Sequence, residues 1–183
     1  NTWWIVDYNR QSLDAVVREG LWSRFEAMFR NFGWDVVILK YGSLLEAAFK
    51  EPGGDRLRAW IDGCPNQLYS ALTYQGGGAW RARLNADLAG DQAALDLIAS
   101  FDDDGLSRLM LNLGGHCIET LLDAFERAQD EVPTLFIAYT VKGYGLPFQG
   151  HKDNHAGLMN PTQMADYRAS LGIAEGTEWE PFA

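Results

Sequence analysis

Residues 134–141 read TLFIAYTV, and residues 142–160 continue KGYGLPFQGHKDNHAGLMN. The first stretch follows Pro133, carries no charge and is rich in β-branched and aromatic residues. That is the pattern of a strand buried on both faces, as in a parallel sheet. The second stretch holds two of the chain's three histidines, His151 and His155, with Lys152, Asp153 and Asn154 among several glycines. Proton-carrying groups on a glycine-rich loop at the end of a core strand are the arrangement to be explained.

Working outward, residues 2–8 (TWWIVDY) are aromatic, β-branched and nearly continuously apolar, and predict a second strand buried on both faces. Trp22, Phe25, Met28, Phe29 and Phe32 then recur at helical spacing as a core stripe, with Gly33 as terminator. Residues 34–42 (WDVVILKYG) predict a further buried strand. Residues 43–50 (SLLEAAFK) predict a short helix with Ser43 as N-cap, broken by Pro52, Gly53 and Gly54. Residues 55–113 are mostly helical, including DRLRAWIDG and DQAALDLIASF, the latter with Asp91 as N-cap. A helix over 118–128 carries Ile118, Leu121, Leu122 and Phe125 on one stripe. The last helix, NPTQMADYRASLG, has Pro161 in its first turn and Gly172 at its end. Strand, helix, strand, helices, strand is an α/β pattern: a parallel sheet flanked by helices. Ligands in such sheets bind beyond the carboxyl ends of the strands. Three segments meet that condition: 9–14, 41–43 and 142–157.

The chain has 183 residues and is 47% hydrophobic, enough for one domain with a real core. Its net charge of -10 argues against a nucleic-acid surface and fits an anionic membrane poorly. A pocket for a small anion stays compatible with it. Cys64 and Cys117 form no CxxC pattern, which favours reduced thiols and a cytoplasmic setting. No apolar run approaches the ~18 residues of a membrane span, and no signal peptide is visible. The opening NTWWIVDYN, with no Met and a strand pattern within two residues, reads as a fragment.

Four constellations carry chemistry. In DYNRQSLD, Asn9 and Gln11 offer hard amide oxygens suited to magnesium or calcium, above all where phosphates supply negative charge. On spacing alone a solvated turn is the better reading. YQGGGAW puts glycines ahead of a helical stretch, which suits a phosphate, but it lacks the P-loop lysine and the dinucleotide spacing, so a flexible turn is preferred. His116, in NLGGHCIET, reads as a residue that fixes a helix start. His151 and His155 can act as acid, base or donor near neutral pH, on a loop whose glycines permit closure. A zinc site finds no further ligand at the right spacing.

In order, NRQSLD after a strand, FGWDVVILKYGS, LNLGGH…AFERAQ, AYTVKGYG and DNHAGLMN resemble the thiamine-diphosphate-dependent transketolase superfamily. Within it, they are most similar to the homodimeric 2-oxoacid dehydrogenase components of the pyruvate dehydrogenase type. The resemblance spans nearly the whole chain. It implies the thiamine-diphosphate-binding fold, with residues 1–172 as the carboxyl-terminal half of the diphosphate-binding domain and 173–183 as a linker. Asn9 and Gln11 match the end of the family's GDG…N motif, so the resemblance assigns both to magnesium and the cofactor, reversing the turn reading; the GDG half is expected upstream of Asn1. Lys142 of KGYG is assigned to the cofactor in the same way. His155 matches the family's active-site loop histidine, which handles a proton at the substrate oxygen; His151 is a second catalytic candidate on a loop shorter than the pyruvate enzyme's. Cys117 stands where an Asp commonly follows GGH, and His116 is not assigned to catalysis.

The implied reaction is decarboxylation of pyruvate or a close 2-oxoacid, with the acyl group passed to the lipoyl group of an acyltransferase component. The implied assembly is a homodimer through equivalent domains. The activating glutamate belongs to a second domain, so the isolated chain is expected to be inactive. A transketolase moving two-carbon units between sugar phosphates is the alternative within the superfamily, and a non-catalytic fragment or scaffold is the alternative outside it.

Overall fold

The computed structural model describes residues 2–12, 15–16 and 20–180. In chain order these form β1 (Trp3–Tyr8), a short antiparallel pair β2 (Gln11–Ser12) and β3 (Ala15–Val16), α1 (Leu21–Asn31) and β4 (Asp35–Leu39). Six helices follow: α2 (Ser43–Ala48), α3 (Gly54–Gly63), α4 (Asn66–Gln75), α5 (Gly77–Asp87), α6 (Gln92–Ala99) and α7 (Asp103–Leu111). A 3-10 turn at Gly114–His116 leads to α8 (Ile118–Arg127), β5 (Thr134–Tyr139) and α9 (Pro161–Ser170). The fold is α/β, with a parallel sheet in the order β1-β5-β4, consistent with a transketolase-like domain.

The TLFIAYTV run forms a buried strand, as its composition predicts, and pairing makes it the middle one. Leu135 and Ile137 point to one face, with Val6, Tyr8, Val36, Phe29 and Trp34; Phe136 and Ala138 point to the other, with Leu39, Ala124, Leu121 and Phe125. The period-2 alternation of a strand puts an apolar residue on each side in turn.

The outer strands depart from the double burial that their sequences predict. Among the described residues β1 and β4 are edges, and Trp4 is 57% exposed, with Trp3, Ile5 and Ile38 also open. A run of apolar residues specifies a strand, but its burial depends on neighbours that the strand does not encode. The helical stripes are corrected for the same reason. Phe25 and Phe29 of α1 are half-buried, while Met28 and Phe32 are exposed; the side chain of Trp22 lies outside the described residues. On α8, Ala124 is buried and Ile118 and Leu122 are exposed.

The six helices between β4 and the 3-10 turn build a separate core around Trp80, Tyr69, Leu45, Leu57, Ile98, Leu106 and Met110, all essentially sealed from solvent. GGG enters this core as packing. A Cβ on Gly77 would lie 1.8 Å from the Asp103 carbonyl oxygen, so α5 and α7 approach too closely for any side chain there. This replaces both the phosphate and the flexible-turn readings of YQGGGAW. Asp91 caps α6 as expected, accepting from the Ala94 N–H at 3.1 Å. Asn160 and Gln163 form a reciprocal capping box at α9, with Pro161 as its first residue. Ser43 does not cap α2. Gly42 holds that position, and the Leu44 N–H is satisfied by Asn112 Oδ1 at 2.9 Å, from a residue distant in sequence.

Candidate functional site

Parallel pairing of β1 with β5 matches Tyr8 to Tyr139 and brings the chain beyond both strands to one edge of the sheet. The Thr140 N–H donates to the Tyr8 carbonyl at 3.1 Å, holding the two exits side by side. Beyond β1 the backbone turns sharply. Asn9 Oδ1 accepts from the Gln11 N–H at 3.0 Å, and Arg10 between them has φ of 64°, in the left-handed region. Such a conformation in a non-glycine residue costs of order 1 kcal/mol or more and tends to mark functional segments. Arg10 is only 5% exposed, with its guanidinium 4.1 Å from the Tyr69 ring centroid and 5.4 Å from that of Tyr139. Burial pushes the Tyr69 phenol up to about 12, with the Arg10 charge opposing.

Gln11 donates from Nε2 to the Gly150 carbonyl at 3.3 Å, which leaves its Oε1 buried without a donor among the described residues. Thr73 Oγ1, from α4, is likewise buried and unpartnered. Both residues line one small cavity with Asn9, Thr140, Lys142 and Gly150, of about 10 Å³. That is room for one water-sized body with polar partners. Hard, neutral oxygens with an unmet acceptor are the donor set of a small cation whose other ligands bring negative charge.

The loop after β5 is fixed at both ends. At its start, His116 Nε2 accepts from the Val141 N–H at 2.8 Å, and the imidazole stacks on Tyr144 with centroids 3.8 Å apart. Burial lowers the His116 pKa, and the Asp7 charge works against that shift. His116 therefore fastens the strand-to-loop junction; it does not fix the helix start that the sequence suggested. Farther on, Asn154 Nδ2 donates to the carbonyls of Lys142 at 2.9 Å and Phe148 at 3.2 Å, tying the loop across its base. Next to His116, the Cys117 thiol is buried, which alone would raise its pKa. Hydrogen bonds with Ser43 and Thr120 outweigh that and bring it down to about 7.

His151 sits edge-on to Tyr74 of α4, centroids 4.6 Å apart, and its Nδ1 accepts from the Asp153 N–H at 3.1 Å. A neutral imidazole so held carries its proton on Nε2. His151 lines a second cavity, of about 480 Å³, which shares Ser70 and Gly150 with the first. The structure thus brings Asn9, Gln11 and Lys142 to one cavity and His151 to the next, whereas His155 is exposed and lines neither. Among the described residues no three His, Cys, Asp or Glu side chains are grouped to hold a metal, and Cys64 and Cys117 are both free thiols.

Comparison with known proteins finds relatives of one kind. No family model matches it. It is 27% identical over 160 residues to the pyruvate dehydrogenase E1 component of Cupriavidus necator, covering 85% of this chain and 17% of that protein. For the E1 component of Buchnera aphidicola the identity is 27% over 150 residues, covering 80% and 16%, and for that of Escherichia coli it is 25% over 150 residues, again 80% and 16%. This chain is similar to one segment of pyruvate dehydrogenase E1 components. It spans about one sixth of their length, 17% in the first case.

Sequence reasoning missed the contribution of α4. Thr73, Tyr74 and Ser70 are in the site because α4 packs beneath the Gly150 turn: a Cβ on Gly150 would lie 2.8 Å from Thr73 Cγ2 and 2.9 Å from the Ser70 carbonyl oxygen. No local signal in NQLYSALTYQ announces that contact. Arg10 did carry a signal, as a lone cation inside the amide pair.

Proposed function

We propose that this chain is part of a thiamine-diphosphate-dependent 2-oxoacid dehydrogenase component, acting on pyruvate or a close 2-oxoacid and passing the acyl group to the lipoyl group of an acyltransferase partner. The observation that carries this reading is the cavity where the two strand exits meet, with Gln11 Oε1 buried and unmatched beside Asn9 and Lys142. Its residues fit the cofactor in kind. Asn9 and Gln11 would hold magnesium through amide oxygens, and Lys142 would meet the diphosphate. When bound, thiamine diphosphate supplies an electron sink for loss of carbon dioxide from a 2-oxoacid.

What the chain itself contributes is binding and proton handling. The left-handed turn at Arg10 holds the Asn9 and Gln11 amides at one strand exit. His151 presents a fixed Nε2–H donor. His155, on the exposed part of the same loop, is the proton carrier that loop closure would deliver. The proposed assembly is a homodimer through equivalent domains.

Calorimetric titration with magnesium and thiamine diphosphate tests this directly. Weak but saturable binding is expected, lowered about tenfold or more by Gln11→Leu, which removes a charge-assisted contact. Equal affinity for the variant would sink the assignment. For a preparation that contains the rest of the polypeptide, lipoamide-dependent acyl transfer from pyruvate supports the dehydrogenase. Ketol transfer between sugar phosphates would instead support a transketolase, the reading that the DNHAG segment favours.

A further inference from the structure

The chain carries 25 acidic and 15 basic side chains, so cavities should on average be lined by carboxylates. The 710 Å³ cavity beside β4 follows that balance: Asp35, Glu46, Asp62, Glu119 and Asp123 line it, against Lys40, Arg58 and Arg127. The two adjoining cavities between α4 and the 142–157 loop do not. No Asp or Glu lines either one, while Arg10 and Lys142 line the inner and His151 and Lys152 the outer.

Two of these donors lack a protein acceptor among the described residues. Arg10 is 5% exposed and rests on aromatic rings, with no carboxylate or hydrogen-bond acceptor. A guanidinium that rests on rings and lines a cavity still has N–H groups to offer there, and an anion is what completes such a site. His151 has Nδ1 occupied by the Asp153 N–H, so its Nε2–H is the free donor, and the edge-on contact with Tyr74 fixes the ring. Lys152 is shared with Asp153 at 2.8 Å and contributes less.

We infer that these two cavities form one anion-receptive cleft with α4 as its wall, and that the outer cavity takes the carboxylate or phosphate end of a small molecule on His151 Nε2–H. Tyr74 is the positioning residue that keeps the imidazole facing the cleft. The inference extends the reading above from the cofactor to the anion beside it, and rests on it only for the choice of pyruvate as a probe.

The test titrates the full chain, without thiamine diphosphate, with sodium pyruvate, sodium phosphate or sodium chloride at matched ionic strength. The readouts are the His151 ring and the Ser70 and Tyr74 amides by NMR. Saturable shifts with pyruvate or phosphate, beyond those with chloride, are expected; pyruvate alone identifies a carboxylate ligand and phosphate alone a phosphoryl ligand. His151→Ala should weaken that binding about tenfold, with partial rescue by His151→Gln, whose amide also donates. Tyr74→Leu should broaden or split the His151 ring signals and weaken binding, with the fold intact by circular dichroism. No response above chloride, or saturable binding indifferent to His151→Ala, overturns the inference. A separate titration with magnesium and thiamine diphosphate keeps the two ideas apart: anion binding without any cofactor response would sink the cofactor reading alone.

Discussion

The helical core and the sheet use similar apolar residues to different ends. Trp80 of α5 is sealed from solvent, packed against Trp60 and Tyr69. Trp4 of β1 touches Phe29 and Trp34 yet stays largely open. The helices from α2 to α7 close on one another, whereas the described sheet has two edges and faces only partly covered by α1 and α8. The candidate site lies where the closed part meets the open part, with α4 giving rigid walls and the strand exits giving the turn and the loop.

The strongest challenge to this contrast is a pair of tryptophan truncations. Trp80→Ala should lower the unfolding free energy by about 3–5 kcal/mol, and Trp4→Ala by about 1 kcal/mol. Equal shifts in urea midpoint would erase the distinction. Gly77→Ala comes next, since the added methyl meets Asp103 backbone: a loss of about 1–3 kcal/mol is expected from thermal melts. Asn154→Ala removes two contacts across the loop base and should cost about 1 kcal/mol locally. Amide exchange across residues 142–157 should then quicken while the melting temperature barely moves.

The smallest effect is a pH dependence. His116 has a folded pKa below its unfolded value because burial disfavours the charged ring. The unfolded chain therefore binds the proton first, and the contribution of His116 is complete above its unfolded pKa of about 6.5 and is lost as pH falls through the folded value. Comparing melts at mildly acidic and neutral pH for the wild type and His116→Gln isolates it: the variant should show the shallower dependence, and identical slopes would refute the assignment.

Much of this was legible along the chain. TLFIAYTV announced a buried strand because it carries no charge; its central place comes from pairing with β1 on one side and β4 on the other. Asp91 and Pro161 announced their helices because the signals that start a helix are local. The exposure of Trp4, Ile118 and Leu122 was not legible, since burial depends on neighbours distant in sequence. The same holds for the site. The family resemblance, not spacing, picks out Asn9, Gln11 and Lys142 on segments at strand exits, and the three do line one cavity. Thr73 and Tyr74 could not be picked out, because only tertiary packing brings α4 under Gly150.

The cap on α2 has a kinetic consequence. Its six residues are too few to persist alone in water, and its first turn is closed by Asn112 and Cys117, 68 and 74 residues later for their partners Leu44 and Ser43. The ends of so long a loop must come together before that turn gains its acceptors. Helix α2 is therefore a late structure on the folding pathway, whose amide protection reports docking of the GGH segment and not the local preference of SLLEAA.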